Sequence, residues 1–343
     1  IAISTNGNAP SFAVYLKNYF INISKGLWGK ALDELAIKRK KIIHKLKKYS
    51  DKKESMEALV ADSFNKINEN NEIIGKVYLV GAGPGDPELI TSKGLKAIQN
   101  ADVILHDALV HPYLVFEINL LAKKVYVGKR KNSHSMDQES IHLLMIEEAR
   151  KGNNVVRLKG GDPFIFGRGG EEVISLVEES IPFQVIPGIT AGIGAASEFA
   201  IPLTYRDIAA SVLFITGHDS SFSDKQDWKL LSKLKTTLVF YMGADNISVI
   251  VQKLMINGKF ADTPIAIIQN ATLENQNIII SALGSIMEDV KDVNILTPAI
   301  IIIGEVVANY KIAQKYLHSD SIDISKSLDG VEFNYWSKQD SFS

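Results

Sequence analysis

The chain contains no cysteine, and its charges of the two signs are almost equal in number. Without cysteine it forms no disulfide, has no thiolate nucleophile and offers no thiolate ligands for zinc or an iron–sulfur cluster. The 38 lysines and arginines stand against 39 aspartates and glutamates, so the net charge of −1 gives no overall attraction to nucleic acid or to an anionic membrane. The seven histidines include no HExxH-type pair, and we predict no metal site.

Long apolar runs are also missing. No run reaches the roughly 20 apolar residues that a helix needs to cross a bilayer. The longest, around 300–303, has the length of a strand and is closed by Gly304. The N-terminus lacks the basic, apolar and small-residue order of a signal peptide, and because it begins without methionine, one interpretation is a piece of a longer protein. We predict a cytoplasmic protein with no membrane segment and no nucleic-acid partner.

Composition and hydrophobic periodicity divide the 343 residues into three zones. Residues 1–71 are polar, rich in lysine and helical in pattern. Residues 317–343 are rich in serine, aspartate and lysine, which predicts a disordered tail. Between these zones, short β-branched runs alternate with helix-length segments, which is typical of an α/β fold with a buried parallel sheet.

Ten segments of the middle zone are predicted strands. They are 76–80, 102–106, 124–127, 154–158, 183–186, 211–216, 237–242, 264–269, 277–281 and 299–303. The later segments lie close together near Ile267 and Ile279, which predicts a hairpin and a mixed second sheet. A hinge near 201–203 would separate two lobes, 74–202 and 203–310. Because ligands of open α/β sheets bind beyond the carboxyl ends of the strands, the turns after the strands are the candidate sites.

The first predicted strand leads into a glycine-rich turn, 81–87 (GAGPGDP). Such a turn, with an acidic residue such as Asp107 about 20 residues further on, is typical of dinucleotide-binding proteins. Two details favour a ligand without phosphate. Gly85 stands one position early and is followed by Asp86, whose carboxylate would repel phosphates. Pro84 and a second proline also remove amide donors that a pyrophosphate needs. A tight turn that binds nothing is the third interpretation.

Charged residues follow the second and third predicted strands. Asp107 comes directly after an apolar strand, where it either caps the next turn or faces the cleft as a proton acceptor. Three consecutive cations, Lys129, Arg130 and Lys131, follow the third strand. They form either a solvated patch or a site for carboxylates, in which Arg130 suits bidentate pairing and Lys129 suits a point charge or a proton donor.

The fourth predicted strand opens the most informative stretch, 155–172 (VVRLKGGDPFIFGRGGEE). It lacks the GK[ST] of a phosphate-binding P-loop. Five glycines within the eleven residues 160–170 indicate unusual backbone angles and close approach of a ligand, with a merely flexible loop as the alternative. Glu171 and Glu172 favour the start of the next helix.

Small residues follow the fifth predicted strand, in 186–196 (IPGITAGIGAA). Thr190 can cap a helix whose first turns are almost all glycine and alanine. A surface of this kind admits either a flat ligand or a closely packed neighbouring element.

In their order and spacing, these turns resemble the tetrapyrrole methylase family, and within it the C-methyltransferases of uroporphyrinogen III. The resemblance covers about 74–307, and 155–172 is its most specific segment. The other signature segments are 80–87, 103–110, 127–130, 185–191, 201–207, 216–218 and 239–243. Membership would imply two α/β lobes, the first with a parallel sheet and the second with a mixed sheet. It would also imply S-adenosylmethionine bound in the cleft between them, usually in a homodimer.

The resemblance also assigns roles to residues of this chain. The proton acceptor would be Asp107 and the proton donor Lys129. Substrate carboxylates would meet Arg130, Arg168 and Arg206. The cofactor contacts would be Pro84, Gly160, Gly161, Asp162, Ile165, Thr190, Ala191, Met242 and Ala271. Two positions depart from the residues common in the family, since Ala271 replaces a glycine and His106 replaces a tyrosine.

The activity that the resemblance implies is methylation of two ring carbons of uroporphyrinogen III, which gives precorrin-2, a precursor of sirohaem and cobalamin. An electron-rich pyrrole carbon would attack the sulfonium methyl, so the main task of the protein would be alignment. A sibling methylase acting on a later corrinoid or a diphthine precursor stays open. A different class of protein, a dinucleotide-binding oxidoreductase or a non-catalytic binding module, also stays open. Thermal stabilisation by NAD rather than by S-adenosylhomocysteine would indicate that class.

Residues 1–71 resemble another part of the bifunctional sirohaem synthases. Their start, 3–10 (ISTNGNAP), and the amphipathic pattern after it resemble the dimerisation and helical segment of those proteins. In those proteins the segment follows a dinucleotide-binding domain that oxidises precorrin-2 and inserts iron. That domain is not in this sequence, so we expect no dehydrogenase activity from it. The basic stretch 38–48 predicts a solvated helix face rather than a nucleic-acid or membrane contact, because leucine and isoleucine supply an apolar face.

Overall fold

The computed structural model describes residues 74–128, 137–217 and 225–310. The chain divides into two compact units, Ile1–Ile74 and Gly75–Ser343, and all described residues except Ile74 belong to the second. The predictions made for 1–71, for 317–343, and for Lys129 and Arg130 therefore lie outside the described residues.

The first part of this unit forms a five-stranded parallel sheet. Its strands are β1 (Val77–Gly81), β2 (Val103–His106), β3 (Lys123–Tyr126), β4 (Val155–Lys159) and β5 (Phe183–Ile186). They lie in the order β3-β2-β4-β1-β5. The helices are α1 (Ser92–Gln99), α2 (Pro112–Phe116), α3 (Gln138–Arg150), α4 (Gly169–Glu178) and, after β5, α5 (Ala191–Glu198). Apolar cores cover both faces, which explains why the inner strands are continuous apolar runs rather than alternating ones.

The second part forms a five-stranded mixed sheet. Its strands are β6 (Val212–Thr216), β7 (Thr237–Tyr241), β8 (Pro264–Gln269), β9 (Asn277–Ala282) and β10 (Ala299–Ile303), in the order β6-β7-β10-β8-β9. The helices α6 (Trp228–Lys233), α7 (Ile247–Ile256) and α8 (Ile286–Asp289) pack on one face. Only β6 and β7 are parallel neighbours, and β8 and β9 form a hairpin that pairs Ile267 with Ile279.

The predicted α/β fold with one parallel and one mixed sheet is confirmed. All ten predicted strands are present, with bounds shifted by one residue at most, and the predicted hairpin is the β8–β9 pair. The lobe boundary near 202 stays a prediction, although the two sheets lie on either side of it in sequence. Among the described helices, none has the length and apolar character needed to cross a membrane.

Helix α5 connects the two sheets. It follows the last strand of the first sheet, yet Ala195 and Ala196 are buried in the core of the second sheet, on the face opposite α6, α7 and α8. Val239 and Ile302 belong to the same core. Short side chains on α5 allow its backbone to approach that sheet closely. The turns of the first sheet are therefore held next to those of the second.

A buried carboxylate, Glu148 on α3, stabilises the edge of the first sheet. Its side chain is only 4% exposed and accepts hydrogen bonds from Lys123 (2.9 Å), Lys151 (3.1 Å) and Asn153 (2.7 Å). These donors, Lys123 above all, lower the pKa of Glu148 from 4.5 to about 2. The ionised form is thus the one that the folded state favours.

We expect Glu148→Gln to lower the free energy of unfolding near pH 7 by about 1–2 kcal/mol, less than the whole pKa shift because both lysines are largely exposed. A depressed pKa stabilises the folded state above the unfolded-state value of 4.5 and loses that contribution as the pH falls towards 2. Denaturant unfolding at a series of pH values should therefore show the two proteins converging in acid. The control is Glu179→Gln, which removes an exposed partner of Arg150 and should cost under about 0.5 kcal/mol. Equal losses in both variants would contradict the prediction.

Candidate active site

Three turns meet beyond the carboxyl end of the first sheet, after β1, β4 and β5. Gly83 and Gly161 exchange backbone hydrogen bonds of 3.2 and 2.7 Å. A methyl group on Gly81 would lie 2.5 Å from the Gly188 nitrogen, and one on Gly188 would lie 2.3 Å from the Gly161 oxygen. Only glycine permits these approaches. Except for Gly170, which has open space beside it, the glycines of 160–170 thus belong to a tightly packed arrangement rather than to a merely flexible loop.

Asp162 joins two of these turns. One of its carboxylate oxygens accepts a hydrogen bond from the Phe164 amide (2.8 Å), and the other accepts one from the Gly188 amide (3.1 Å). Both oxygens are used within the protein, so a ligand next to Asp162 would meet mainly its backbone. The predicted cofactor residues Gly160, Gly161 and Asp162 are partly exposed at this point.

The second sheet contributes turns after β7 and β8. Met242 directly follows β7, is 47% exposed and has a φ of +54°. After β8, Asn270 (φ +49°) and Thr272 (φ +67°) are also left-handed, whereas Ala271 between them is not. Left-handed non-glycine residues store strain and often cluster at functional sites. Because Ala271 lies outside that region, an alanine fits there without backbone strain where family members commonly have glycine.

The two sets of turns are in direct contact. The Asp86 amide donates a hydrogen bond to the Thr272 hydroxyl (3.0 Å), and a methyl group on Gly85 would lie 2.8 Å from the same oxygen. Ile165, another predicted cofactor residue, packs against the core of the second sheet. The structure therefore brings together the predicted residues of both sheets, from Pro84 in the first turn to Ala271.

Tyr241, the last residue of β7, holds the start of α5. Its hydroxyl lies 2.8 Å from the Thr190 hydroxyl and accepts the Gly192 amide at 2.9 Å, and burial raises its pKa. Thr190 occupies the predicted cap position at the start of α5, but its hydroxyl bonds to Tyr241 rather than to an amide of the helix. A methyl group on Gly192 would lie 2.4 Å from the Tyr241 oxygen, and one on Gly194 would lie 2.6 Å from Pro84. Close packing thus accounts for the glycines of α5.

We expect Tyr241→Phe to weaken S-adenosylhomocysteine binding by about 5–30-fold, because the buried Gly192 amide loses its acceptor next to Thr190 and Ala191. Calorimetric titration measures this effect directly. The matched control is Tyr113→Phe, which removes a hydroxyl from a residue that is 49% exposed on α2 and should leave the affinity unchanged. Unchanged affinity in both variants would show that Tyr241 does not position these residues.

Asp107 lies at the end of β2 and combines both roles considered for it. Its Oδ1 atom accepts the Leu109 amide (3.1 Å), as in a capped turn. Its side chain is also 25% exposed, and its Oδ2 atom lies 3.7 Å from the Arg157 guanidinium. A methyl group on Gly160 would lie 2.7 Å from Leu109, so the Asp107 turn adjoins the glycine-rich stretch. The carboxylate is placed at the edge where the other turns meet.

His106, where tyrosine is common in the family, is 9% exposed just before Asp107. Its ring packs edge-on against Phe116 and Tyr126, with centroids 5.9 and 5.5 Å away. Burial lowers the pKa of His106, which favours the neutral imidazole near pH 7. The His106 ring thus packs against two aromatic rings, directly before Asp107 in the chain.

The two glutamates predicted to favour the start of α4 have different environments. Glu171 is exposed and pairs with Arg168, so the prediction suits it. Glu172 also lies in the first turn of α4, as predicted, but its side chain is fully buried and bonds to Arg157 and Lys159 of β4. Arg168 is half-exposed, and Arg206 is exposed in the segment before β6.

Four residues next to the site were not predicted from the sequence: Arg157, Lys159, Tyr241 and Thr272. One signal could have indicated two of them: Arg157 and Lys159 lie two residues apart in an otherwise apolar run, and cations in a buried strand need partners. No local pattern marks Tyr241 or Thr272, since their partners are distant in sequence.

The chain matches the model of the Tetrapyrrole (Corrin/Porphyrin) Methylases over residues 76–287. It belongs to this family. It is 50% identical over 235 residues to the uroporphyrinogen-III C-methyltransferase of Priestia megaterium, covering 68% of this chain and 99% of that protein. It is 48% identical over 233 residues to the siroheme synthase of Thioalkalivibrio sulfidiphilus, covering 68% of this chain and 48% of that protein. The chain spans about half the length of the siroheme synthases it matches.

Among solved structures, the uroporphyrin III C-methyl transferase of Thermus thermophilus is similar in fold. It has a TM-score of 0.59 and 36% sequence identity, and the match covers 68% of this chain and 99% of that chain. The Thermus thermophilus protein has also been solved as a complex with S-adenosylhomocysteine, at the same TM-score of 0.59.

Proposed function

We propose that this chain is an S-adenosylmethionine-dependent C-methyltransferase that methylates two ring carbons of uroporphyrinogen III to give precorrin-2. The observation that carries the proposal is the identity of 50% to a uroporphyrinogen-III C-methyltransferase along 99% of that protein. This likeness favours the substrate over a later corrinoid or a diphthine precursor, since the solved cobalt precorrin-4 methyltransferase is 27% identical and the solved diphthine synthase only 16%.

The backbone of the meeting turns supports a ligand without phosphate. The amides of Gly83 and Gly161 bond to each other's carbonyl groups, and the Gly188 amide bonds to Asp162. Pro84 has no amide hydrogen, and the Asp86 amide bonds to Thr272. Four amides of these turns thus bond within the protein, whereas a pyrophosphate needs several free backbone amides. This arrangement disfavours the dinucleotide-binding alternative.

The same turns suit S-adenosylmethionine. A methyl group on Gly161 would meet Thr190 and Ala191 at 3.7 Å, an ordinary contact distance, so protein atoms do not fill the space beside Gly161. We propose that Pro84, Gly160, Gly161, Asp162 and Ile165, with Thr190, Ala191, Met242 and Ala271, hold the cofactor. When bound, it supplies an activated methyl group on sulfur. The protein aligns the pyrrole carbon with that methyl, and Asp107 accepts the proton that the methylated substrate loses. Lys129 would donate a proton, and Arg130, Arg168 and Arg206 would pair with substrate carboxylates.

We further propose that the chain acts as a cytoplasmic homodimer whose product serves the formation of sirohaem or cobalamin. The dimer is the usual state of the family, and the siroheme synthases among the relatives favour the first product. Sedimentation equilibrium tests the dimer, since the expected mass is twice the 37.8 kDa of one chain. A single species of 37.8 kDa at all concentrations would contradict it.

Anaerobic turnover of uroporphyrinogen III with S-adenosylmethionine, followed by mass spectrometry, tests the activity. A gain of two methyl groups is the expected result. No methylation, despite measurable binding of S-adenosylhomocysteine, would contradict the substrate but not the cofactor. If NAD rather than S-adenosylhomocysteine raised the melting temperature, the dinucleotide-binding alternative would replace the proposal.

A further inference from the structure

Strand β4 carries two buried cations in the middle of the first sheet. Arg157 and Lys159 are 5% and 4% exposed, and their neighbours Val156 and Leu158 belong to the apolar core of the opposite face. Their common partner, Glu172, is fully buried. Burying charges is costly, and apolar residues of similar size often stabilise a fold equally well or better. Stability alone therefore does not explain this cluster, which we name the β4 charge cluster (Arg157, Lys159 and Glu172).

The geometry of the β4 charge cluster fixes the Arg157 guanidinium. Its Nε atom donates to Glu172 Oε1 (3.1 Å), and its Nη1 atom donates to the Leu158 carbonyl (3.0 Å). Its Nη2 atom is then directed towards Asp107 Oδ2, 3.7 Å away. Lys159 holds the same Glu172 oxygen at 2.9 Å. Both the position and the plane of the guanidinium are thus determined before any ligand binds.

The contact between Arg157 and Asp107 is electrostatic rather than a hydrogen bond. A separation of 3.7 Å is too long for a hydrogen bond, so Asp107 Oδ2 keeps its lone pairs for a proton. The other oxygen, Oδ1, is already held by the Leu109 amide. Arg157 therefore lies next to the Asp107 carboxylate without occupying the oxygen that would react.

The charges of the β4 charge cluster also link it to Asp107. Two cations against one carboxylate leave the β4 charge cluster with a surplus of positive charge. Burial lowers the pKa of Lys159, whereas Glu172 and Asp107 both raise it, so Asp107 contributes to the balance. Of the carboxylates in the described residues, Asp107 is the one that Arg157 pairs with besides Glu172.

We propose that Arg157 is a positioning residue for Asp107, and that the side-chain oxygen of Glu172 and the Leu158 carbonyl keep its guanidinium in place. The proposal rests on the proposed function, in which Asp107 accepts the proton of the methylated substrate. Arg157 does not contact the substrate itself. It holds the carboxylate in a fixed orientation, so its loss should lower the rate of methyl transfer much more than the affinity for either ligand.

Two double variants of the whole chain test this. Arg157→Met/Glu172→Gln and Lys159→Met/Glu172→Gln each remove one buried cation and one buried anion, so their structural costs are matched. Only the first removes the partner of Asp107. We expect kcat to fall about 30–100-fold in the first variant. In the second it should fall no more than about 3-fold, because the carbonyl oxygen of a glutamine and the Leu158 carbonyl can still accept the hydrogen bonds of Arg157. KM for uroporphyrinogen III and the Kd for S-adenosylhomocysteine should change less than about 3-fold in both.

An Asp107→Asn background separates positioning from a purely structural role. Without a carboxylate to hold, adding Arg157→Met/Glu172→Gln should lower the residual kcat by less than about 3-fold. Arg157→Lys should recover part of the rate, because it restores the charge but not the fixed plane. Equal losses of kcat in the two double variants would overturn the inference but not the proposed function. So would a further loss of about 30–100-fold when Arg157→Met/Glu172→Gln is added to Asp107→Asn. If the unmodified chain does not methylate uroporphyrinogen III at all, the proposed function fails and the inference falls with it.

Discussion

Asp107→Asn should lower kcat for methylation of uroporphyrinogen III by about 10²–10⁴-fold, the usual contribution of a positioned acid or base. Asparagine has the same shape, and its carbonyl oxygen can still accept the Leu109 amide that Asp107 Oδ1 now accepts, so the turn should keep its form. What disappears is the basic oxygen facing Arg157. The affinity for S-adenosylhomocysteine should stay within about 3-fold, because the proposed cofactor contacts come from other turns.

The control for this substitution is Asp227→Asn. Asp227 also accepts a backbone amide, that of Leu230 at 2.9 Å, as the cap of α6, and asparagine caps helices equally well. Its kcat should be that of the unmodified chain. Single-turnover rates and calorimetric titrations of both variants give the two quantities needed. If Asp107→Asn kept more than about a tenth of the rate, another group would have to accept the proton.

Most of the fold could be predicted because its signals are local. Each strand is a short apolar run bounded by polar or turn residues, and these runs appear in the structure almost unchanged. The close spacing of two runs also predicted the β8–β9 hairpin. What could not be predicted is which distant strands become neighbours. The pairing of β10 between β7 and β8, and the packing of α5 on the second sheet, depend on long-range contacts that no single segment reveals.

The turns of the candidate site could be predicted from the sequence, but the residues that hold these turns in place could not. The glycines and Asp107 stand out because unusual residues follow apolar strands, and the structure brings the described members of that set to one edge. Glu172 lies in the first turn of α4 as predicted, but its burial could not be predicted, because it depends on two cations of β4 that face it. Thr190 likewise occupies the predicted cap position, but the bond of its hydroxyl to Tyr241, 51 residues away, has no local signal in the sequence.

Gly188→Ala should destabilise the fold by about 3 kcal/mol or more and weaken S-adenosylhomocysteine binding at least about 100-fold. The added methyl would lie 2.3 Å from the Gly161 oxygen and 2.8 Å from two backbone atoms of Gly81. No flexible side chain can move away to relieve this contact, so the turns after β1, β4 and β5 must separate. Those turns contain most of the proposed cofactor contacts, and stability and binding should therefore fall together.

The matched control is Gly170→Ala at the start of α4. A methyl group on Gly170 would have no neighbour within 4 Å, and alanine favours a helix by up to about 1 kcal/mol. This variant should be as stable as the unmodified chain or slightly more so, with unchanged affinity. Denaturant unfolding and calorimetric titration decide between the outcomes. If Gly188→Ala bound S-adenosylhomocysteine as tightly as Gly170→Ala does, the close approach of the three turns would not be what forms the site. The cofactor would then have to be held mainly by the turns that contain Met242 and Ala271.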